Sequence, residues 1–224
     1  MTEPSVLNLA FCLFAYRPYG GLQRDFYRIA QLCAERGHRI TVFTMEWQGP
    51  VPENFNVQVL PVHRLRNHVR SRRFAELVAR ATATQEFDVI TGFNRIPGVD
   101  IYYAADPCYV AKINELHGPW YRLTARYRHF AAMEQALFSP QADTRLLLLS
   151  EQERPKFMQH YNTPAERFLV LPPGIARDRQ APPDAQRIRE VFRKEFNLGE
   201  RDRLLLMVGS GFRTKGLDRT LQAL

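Results

Sequence analysis

Residues 7–29 contain the pattern that most constrains the fold: an apolar run, a turn with two glycines and an amphipathic helix. The run over residues 7–14 is almost entirely apolar, which is typical of a strand buried on both faces of a parallel sheet. The turn contains Gly20 and Gly21, which permit positive φ and a close backbone approach. Such a turn can direct the free N–H groups of the helix towards an anion, although a simple strand-to-helix turn is the alternative.

Further apolar segments alternate with helical patterns along the chain. They predict strands at residues 39–45, 57–60, 88–91, 101–105, 146–149 and 168–171. Ser150 and Glu153 match a capping box at the start of the helix that follows the fifth of these segments. The alternation predicts a doubly wound, Rossmann-like α/β domain. Ligands bind such sheets at the carboxyl ends of the strands, where Gly20, Asn94 and Asp106 are expected to lie.

A second unit is predicted after residue 171. Its start is rich in proline, Asp184 is expected to cap a helix, and residues 203–208 are predicted to form a new buried strand. A lone strand and helix cannot cover their own apolar surface. We therefore expect residues 1–171 to form the first domain and residues 172–224 to be a linker and the truncated start of a second α/β domain.

The charge balance favours anionic partners. The chain has a net charge of +8, and only four of its 31 basic side chains are lysines. This excess suits phosphate-bearing ligands, nucleic acid or an anionic membrane surface, and codon bias towards arginine is the alternative. The three cysteines have no metal-binding spacing, which indicates a reducing cytoplasm and no structural metal. No apolar run is long enough to span a bilayer, and no secretory signal is expected.

The segment over residues 209–216, GSGFRTKG, departs from both standard phosphate-binding motifs. A P-loop would place Ser or Thr after the lysine, and a dinucleotide fingerprint would place glycine at Thr214. A glycine-rich turn remains, with Arg213 and Lys215 predicted at a helix N-terminus. That arrangement suits a diphosphate, although solvated basic side chains on a turn are the alternative.

Residues 109–138 interrupt the strand–helix rhythm and combine basic with aromatic side chains. On a helix, Arg122, Arg126 and His129 would share one face, and apolar residues would line another. Such a helix suits an anionic bilayer surface, and a core-packed helix with a solvated basic face is the alternative. The residues expected to associate with a membrane are Lys112, Trp120, Tyr121, Arg122, Arg126, Tyr127, Arg128 and Phe130.

Asp106 ends the apolar strand predicted at residues 101–105. A carboxylate at a strand end is a candidate general base or hydroxyl ligand. Because Pro107 follows it, Asp106 is equally suited to cap a helix.

Five blocks of the sequence together resemble the lipopolysaccharide core glycosyltransferases of glycosyltransferase family 4. They are residues 10–30, 92–109, 121–138, 171–175 and 208–219. The resemblance implies a two-domain GT-B fold and a retaining transfer of a hexose, glucose expected, from a UDP-sugar to an inner-core heptose. It implies no cofactor, no metal and no nucleic-acid partner. It places the protein on anionic lipids at the inner face of the cytoplasmic membrane, through residues 109–138.

The resemblance also implies roles for individual residues. Asp106 matches an active-site aspartate. The residues that match the donor or phosphate site are Gly20, Gly21, Arg179, Gly209, Arg213 and Lys215. Thr214 departs from the family, which has arginine there. The family's acidic donor-binding motif would lie beyond residue 224, so this chain is expected to be inactive alone. A non-catalytic module that binds a membrane surface or nucleic acid is the alternative function.

Overall fold

Seven strands form one sheet in the first part of the chain. They are Asn8–Leu13 (β1), Arg39–Thr44 (β2), Phe55–Val59 (β3), Val89–Gly92 (β4), Ile101–Ala104 (β5), Arg145–Leu148 (β6) and Phe168–Val170 (β7). Their order is β3-β2-β1-β4-β5-β6-β7, and all neighbouring pairs are parallel. The predicted doubly wound α/β fold is confirmed. The order reverses between β1 and β4, which is the switch point where such sheets bind ligands.

Helices connect and follow these strands. They are Gly21–Glu35 (α1), Asn67–Ala83 (α2), Tyr109–Leu116 (α3), Ala125–Phe138 (α4), Arg154–Tyr161 (α5), Ala185–Glu195 (α6), Phe212–Lys215 (α7) and Leu217–Gln222 (α8), with short 3-10 helices at Pro119–Leu123, Glu151–Glu153 and Ala165–Arg167. The structure is a computed structural model that describes residues 5–62, 66–172, 174, 180–209 and 211–224, without the side chains of residues 213 and 214. It divides into two units, Met1–Pro173 and Gly174–Leu224.

The sheet of the first unit is covered on both faces. Ala10 and Cys12 of β1 face α2, α4 and α5, whereas Leu9, Phe11 and Leu13 face α1. Every β1 residue except Asn8 is buried, as its apolar composition predicts. Burying each large apolar side chain contributes about 1.5–3 kcal/mol, so this strand anchors the core of the unit.

The second unit differs from its prediction. Residues 203–208 form no strand, and their apolar side chains are mostly exposed. The described residues of this unit include no other strand, so the backbone has no partner for the hydrogen bonds that a strand requires. Asp184 precedes α6 but makes no capping hydrogen bond; its carboxylate pairs with Arg187 at 2.7 Å instead.

Residues 109–138 form two α-helices and a 3-10 helix rather than a single helix. Gly118 and Pro119 end the first helical stretch, and Thr124 caps α4 by accepting a hydrogen bond from the backbone N–H of Tyr127 at 3.1 Å. Arg122 therefore lies on the 3-10 helix and does not share a helical face with Arg126. No helix in the described part of the chain is long and apolar enough to cross a membrane.

Candidate functional site

The turn after β1 leads into α1 at the carboxyl edge of the sheet. Gly20 caps α1 with φ −81° and ψ 143°, so the turn does not use the positive φ that glycine permits there. A β-turn reverses the chain instead, because the Gly20 N–H donates to the Arg17 carbonyl and Pro18 supplies a fixed φ in the second position. A Cβ at Gly20 would lie 1.8 Å from the Gln23 Oε1 atom, so this flexible side chain would have to move to admit one. The atoms that come close to the Gly20 backbone therefore belong to the Gln23 side chain of α1.

The N-terminus of α1 is chemically open. No side chain caps it, and its first N–H groups have no carbonyl partner within the helix. Gly21 is exposed, and a Cβ there would meet no atom within 4 Å. The 15-residue helix adds a partial positive charge at this end. This geometry suits an anion.

Two hydrogen bonds connect α1 and β1 to the neighbouring strands. Asn94, which follows β4, accepts a hydrogen bond from the Phe14 N–H at 2.7 Å. Tyr103 of β5 donates its hydroxyl to the Asp25 carboxylate of α1 at 2.9 Å. Asn94 thus holds the ends of β1 and β4 together, and its amide oxygen is occupied by the backbone rather than directed at a ligand.

Asp106 follows β5 at the same edge of the sheet, and its side chain is 63% exposed. Its carboxylate accepts a hydrogen bond from Arg95 Nη1 at 3.3 Å. It does not cap α3, since that helix begins at Tyr109 with Cys108 in the capping position and no side-chain cap from that residue. The capping alternative for Asp106 is therefore wrong, and an exposed carboxylate at a strand end remains.

Glu134 of α4 takes the place of that cap. Its two carboxylate oxygens accept from the Tyr109 N–H, both at 2.9 Å, and one of them accepts from the Val110 N–H at 3.3 Å. The same carboxylate accepts from the Tyr161 hydroxyl at 2.6 Å and from Arg95 Nε at 3.0 Å. Glu134 is completely buried, and these partners satisfy its charge.

The electrostatics of this cluster follow from burial and the Glu134 charge. Burial opposes the charge of the Arg95 guanidinium, but the surrounding groups, Glu134 and Asp106 among them, outweigh it and raise the pKa of Arg95. Burial, and then Glu134, raises the pKa of the Cys108 thiol to about 12. Arg95 therefore stays charged and Cys108 stays a thiol at neutral pH.

Neither Arg95 nor Glu134 is among the site residues that the sequence predicts. A signal for Glu134 is present, because Phe130, Leu137 and Phe138 lie four before, three after and four after it. That spacing puts a carboxylate on the apolar face of α4, which requires a buried partner. No comparable pattern marks Arg95, which lies in a loop.

The other residues that are expected at the phosphate site belong to the second unit. Lys215 is exposed, ends the four-residue α7 and directly precedes Gly216, which caps the N-terminus of α8. A Cβ at Gly209 would lie 3.5 Å from the Cγ atom of Lys215. Arg179 and the Arg213 side chain lie outside the described residues.

The expected membrane-associating residues divide into two groups. Trp120 is 80% exposed, and two further apolar residues of the same segment, Leu116 and Leu123, are also exposed. The exposed basic residues of the same segment are Lys112, Arg122, Arg126 and Arg128. In contrast, Tyr121, Tyr127 and Phe130 are half-buried within an aromatic group that includes Tyr109.

Comparison with known proteins relates the chain to glycosyltransferases. The model of Glycosyltransferase Family 4 matches residues 19–179. The lipopolysaccharide glucosyltransferase WaaG of Escherichia coli (strain K12) is 44% identical over 216 residues, which cover 96% of this chain and 58% of WaaG. The chain thus spans 58% of the length of this curated relative.

Two solved structures are also similar. The crystal structure of WaaG, a glycosyltransferase involved in lipopolysaccharide biosynthesis, has a TM-score of 0.88 and 43% identity, covering 96% of this chain and 58% of that one. A glycosyltransferase from Rickettsia africae ESF-5 has a TM-score of 0.54 and 8% identity, covering 98% and 58%. The second likeness is one of fold alone.

Proposed function

The chain belongs to glycosyltransferase family 4, and from that premise we propose that the protein carrying it is a retaining hexosyltransferase of lipopolysaccharide core biosynthesis. The donor is a UDP-sugar, UDP-glucose in the first instance, and the acceptor is an inner-core heptose. The reaction uses no metal and no cofactor. The 44% identity to the glucosyltransferase WaaG supports the donor and acceptor classes.

One observation carries the proposal: an exposed carboxylate and an open helix N-terminus share one edge of the sheet. Asp106 follows β5, and Gly21 begins α1 after β1. Only β4 lies between these strands, so their ends are about 10 Å apart at the usual strand spacing. The Tyr103–Asp25 hydrogen bond ties α1 to β5 three residues before Asp106. An acceptor hydroxyl and a donor phosphate therefore have neighbouring partners.

The leaving group determines which charge the phosphate site has to stabilise. Cleavage of the UDP–hexose bond puts negative charge on the β-phosphate, and preorganised donors stabilise that charge by about 3–4 kcal/mol each. In the first unit, the turn at Gly20 and Gly21 leads to such donors, which are the Gly21 N–H and the next N–H groups of α1, because the Gly20 N–H is used within the turn. In the second unit, the family resemblance offers Arg179, Arg213 and Lys215 as candidates, and of these Lys215 lies near Gly209. Because cations and helix N–H groups neutralise the phosphate, a divalent metal is unnecessary.

Asp106 acts on the acceptor. Retention without an enzymic nucleophile requires the acceptor hydroxyl to attack from the face that the phosphate leaves, and the departing phosphate takes the proton. Asp106 orients that hydroxyl for transfer of its proton to the phosphate, or assists the deprotonation, and a side chain positioned for such a proton transfer contributes about 10²–10⁴-fold in rate. The exposure of its carboxylate gives an acceptor access to it.

The test uses the natural protein with labelled UDP-glucose and a lipopolysaccharide acceptor that ends at the inner core. Asp106→Ala should lower turnover by at least about 100-fold and leave UDP affinity within about twofold. Glu115→Ala, which removes an exposed carboxylate from α3, should leave both unchanged. Near-normal turnover in Asp106→Ala would exclude Asp106 from the reaction. If the unaltered protein transfers no sugar and binds an oligonucleotide instead, the nucleic-acid alternative is correct.

The proposal includes peripheral binding to the inner face of the cytoplasmic membrane. The exposed side chains of Leu116, Trp120 and Leu123 provide apolar contact. Arg122 is held by Asn114 Oδ1 at 2.8 Å, and Arg128 is held by the Leu123 carbonyl at 2.6 Å, so these basic groups are ordered beside the apolar ones. Anionic lipid headgroups match this combination of charge and apolar surface.

Vesicle flotation tests the membrane proposal. Replacing Arg122, Arg126 and Arg128 with Glu should weaken binding to anionic vesicles by roughly 100-fold, since each basic residue near such a surface contributes about 1 kcal/mol. Zwitterionic vesicles should bind weakly throughout. The matched control replaces Arg28, Arg36 and Arg39, three exposed arginines elsewhere on the first unit, with Glu. Equal losses in the two triple variants would indicate a general charge effect and contradict a local surface.

A further inference from the structure

Arg95 occupies the centre of the cluster that joins the buried core to Asp106. Its side chain is only 13% exposed, and three nitrogens of its guanidinium group have separate partners. Nε donates to Glu134 at 3.0 Å, Nη1 donates to Asp106 at 3.3 Å, and Nη2 donates to the Pro107 carbonyl at 2.8 Å. A planar group held on three sides has a fixed orientation.

Glu134 fixes Arg95 from the buried side. Its carboxylate is held by α3 through backbone N–H groups and by α5 through the Tyr161 hydroxyl. Removal of the guanidinium would leave a buried carboxylate without its cation, which proteins strongly disfavour. Glu134, itself held by α3 and α5, therefore fixes the buried end of the Arg95 side chain.

Asp106 depends on Arg95 for its own orientation. Its carboxylate is largely exposed, and within the described part of the chain Arg95 is the side chain that donates to it. An exposed aspartate without such a partner would sample several rotamers. A group that must meet one acceptor hydroxyl has to be held in a productive geometry.

We propose that Arg95 is a positioning residue that holds Asp106 in its reactive orientation, and that Glu134 sets Arg95 for this role. This inference rests on the proposed function, because it assigns Arg95 a part in the same transfer reaction. Arg95 acts through Asp106 and need not touch either substrate. The sequence places the three residues far apart, and only the fold brings them into one chain of charges.

A double-mutant cycle on the natural protein tests the proposal, with Arg95→Lys, Asp106→Asn and the double variant. Lysine keeps a cation for buried Glu134, so the fold should be retained, but one ammonium group cannot hold Glu134 and Asp106 in place together. Arg95→Lys should lower kcat at least tenfold, while KM for UDP-glucose stays within twofold. The double variant should be no more than twofold slower than Asp106→Asn alone, because Arg95 acts through Asp106.

The control is Arg73→Lys, which alters another arginine paired with a carboxylate, Glu76 at 3.1 Å on α2. It should leave kcat unchanged. If the reductions in kcat caused by Arg95→Lys and Asp106→Asn multiply in the double variant, or if Arg95→Lys retains normal kcat, Arg95 does not position Asp106. The proposed transferase function would still stand in both cases. If the unaltered protein transfers no sugar, the proposed function fails and the role of Arg95 fails with it.

Discussion

The tetrapeptide Arg-Leu-Leu-Leu occurs twice in this chain and has two different structures. At Arg145–Leu148 it is β6, hydrogen-bonded between β5 and β7, and Leu146 and Leu148 are buried. At residues 203–206 it forms no strand, and Leu206 is 77% exposed. The same residues thus form a central strand in one unit and an exposed segment in the other.

The difference shows that strand formation depends on available partners. β6 has a neighbouring strand on each side, and helices cover its buried side chains. The described residues of the second unit offer the other copy no strand at all. The three leucines are the same in both places, but strand propensity describes how well a side chain fits a sheet that is already there.

The largest expected effect comes from placing a charged residue in the copy that forms β6, with the same change in the other copy as its comparison. Leu148→Asp should destabilise the first unit by more than about 4 kcal/mol, since it buries an unpaired carboxylate. Leu206→Asp should change that stability by less than about 0.5 kcal/mol. Urea unfolding followed by tryptophan fluorescence measures this, because Trp47 and Trp120 both lie in the first unit. Similar losses in the two variants would show that residues 203–208 are packed after all.

Removing an aromatic ring extends the comparison to the helices. Phe138 of α4 is fully buried and stacks on Phe157 with ring centroids 3.9 Å apart. Phe138→Ala should cost about 3–5 kcal/mol because it leaves a cavity in the core. Phe192 of α6 contacts Phe196 but is partly exposed, so Phe192→Ala should cost less than about 1 kcal/mol. Urea denaturation followed by far-ultraviolet circular dichroism reports on both units, and a reversed order would contradict the comparison.

The two predicted helix caps provide a smaller test. Ser150 accepts a hydrogen bond from the Gln152 N–H at 3.3 Å, whereas Asp184 makes no capping bond. Ser150→Ala should therefore cost about 1 kcal/mol of first-unit stability. Asp184→Ala should change the helicity of α6 little, since it loses only an exposed ion pair. A marked loss of α6 helicity in Asp184→Ala would show that Asp184 caps the helix in solution.

The smallest expected effect is a pH dependence confined to the first unit, which contains all six histidines. Burial, and then His68 and Arg72, lowers the pKa of His129. The unfolded chain therefore binds this proton more readily than the folded one, and stability falls as pH drops below the ordinary histidine pKa of about 6.5. Urea unfolding of His129→Gln at about pH 7 and about pH 5 should show a smaller loss. Equal losses in variant and parent would contradict this origin.

Much of the first unit is predictable because its strands are continuous apolar runs. Such runs can be covered only by helices on both faces, which is why β1 and the order of elements follow from the pattern. Only half of the capping box at Ser150 forms as predicted: Ser150 caps as expected, but Glu153 accepts from the Cys108 N–H at 3.0 Å and from Lys156 Nζ at 2.8 Å rather than from the Ser150 N–H. A long-range partner replaced the local one.

The position of the candidate site in the fold can be predicted from the sequence, but the side-chain hydrogen bonds within it cannot. Asp106 lies at the carboxyl edge of the sheet, as its position after β5 predicts. Local sequence suggests a helix cap for it equally well, and only the long-range bonds of Glu134 to α3 show that this cap is supplied from α4. Gly20 shows the same limit, since its negative φ and its contact with the Gln23 side chain are set by the folded turn.

The sequence by itself determined the parallel α/β architecture of the first unit, its apolar core and the strand end that presents Asp106. These follow from residue periodicity, which is a local property of the chain. The tertiary structure alone decided that Arg95 lies between Glu134 and Asp106, and that one Arg-Leu-Leu-Leu segment forms a strand while the other does not. A buried charge needs a partner and a strand needs a neighbour, and both come from distant parts of the chain.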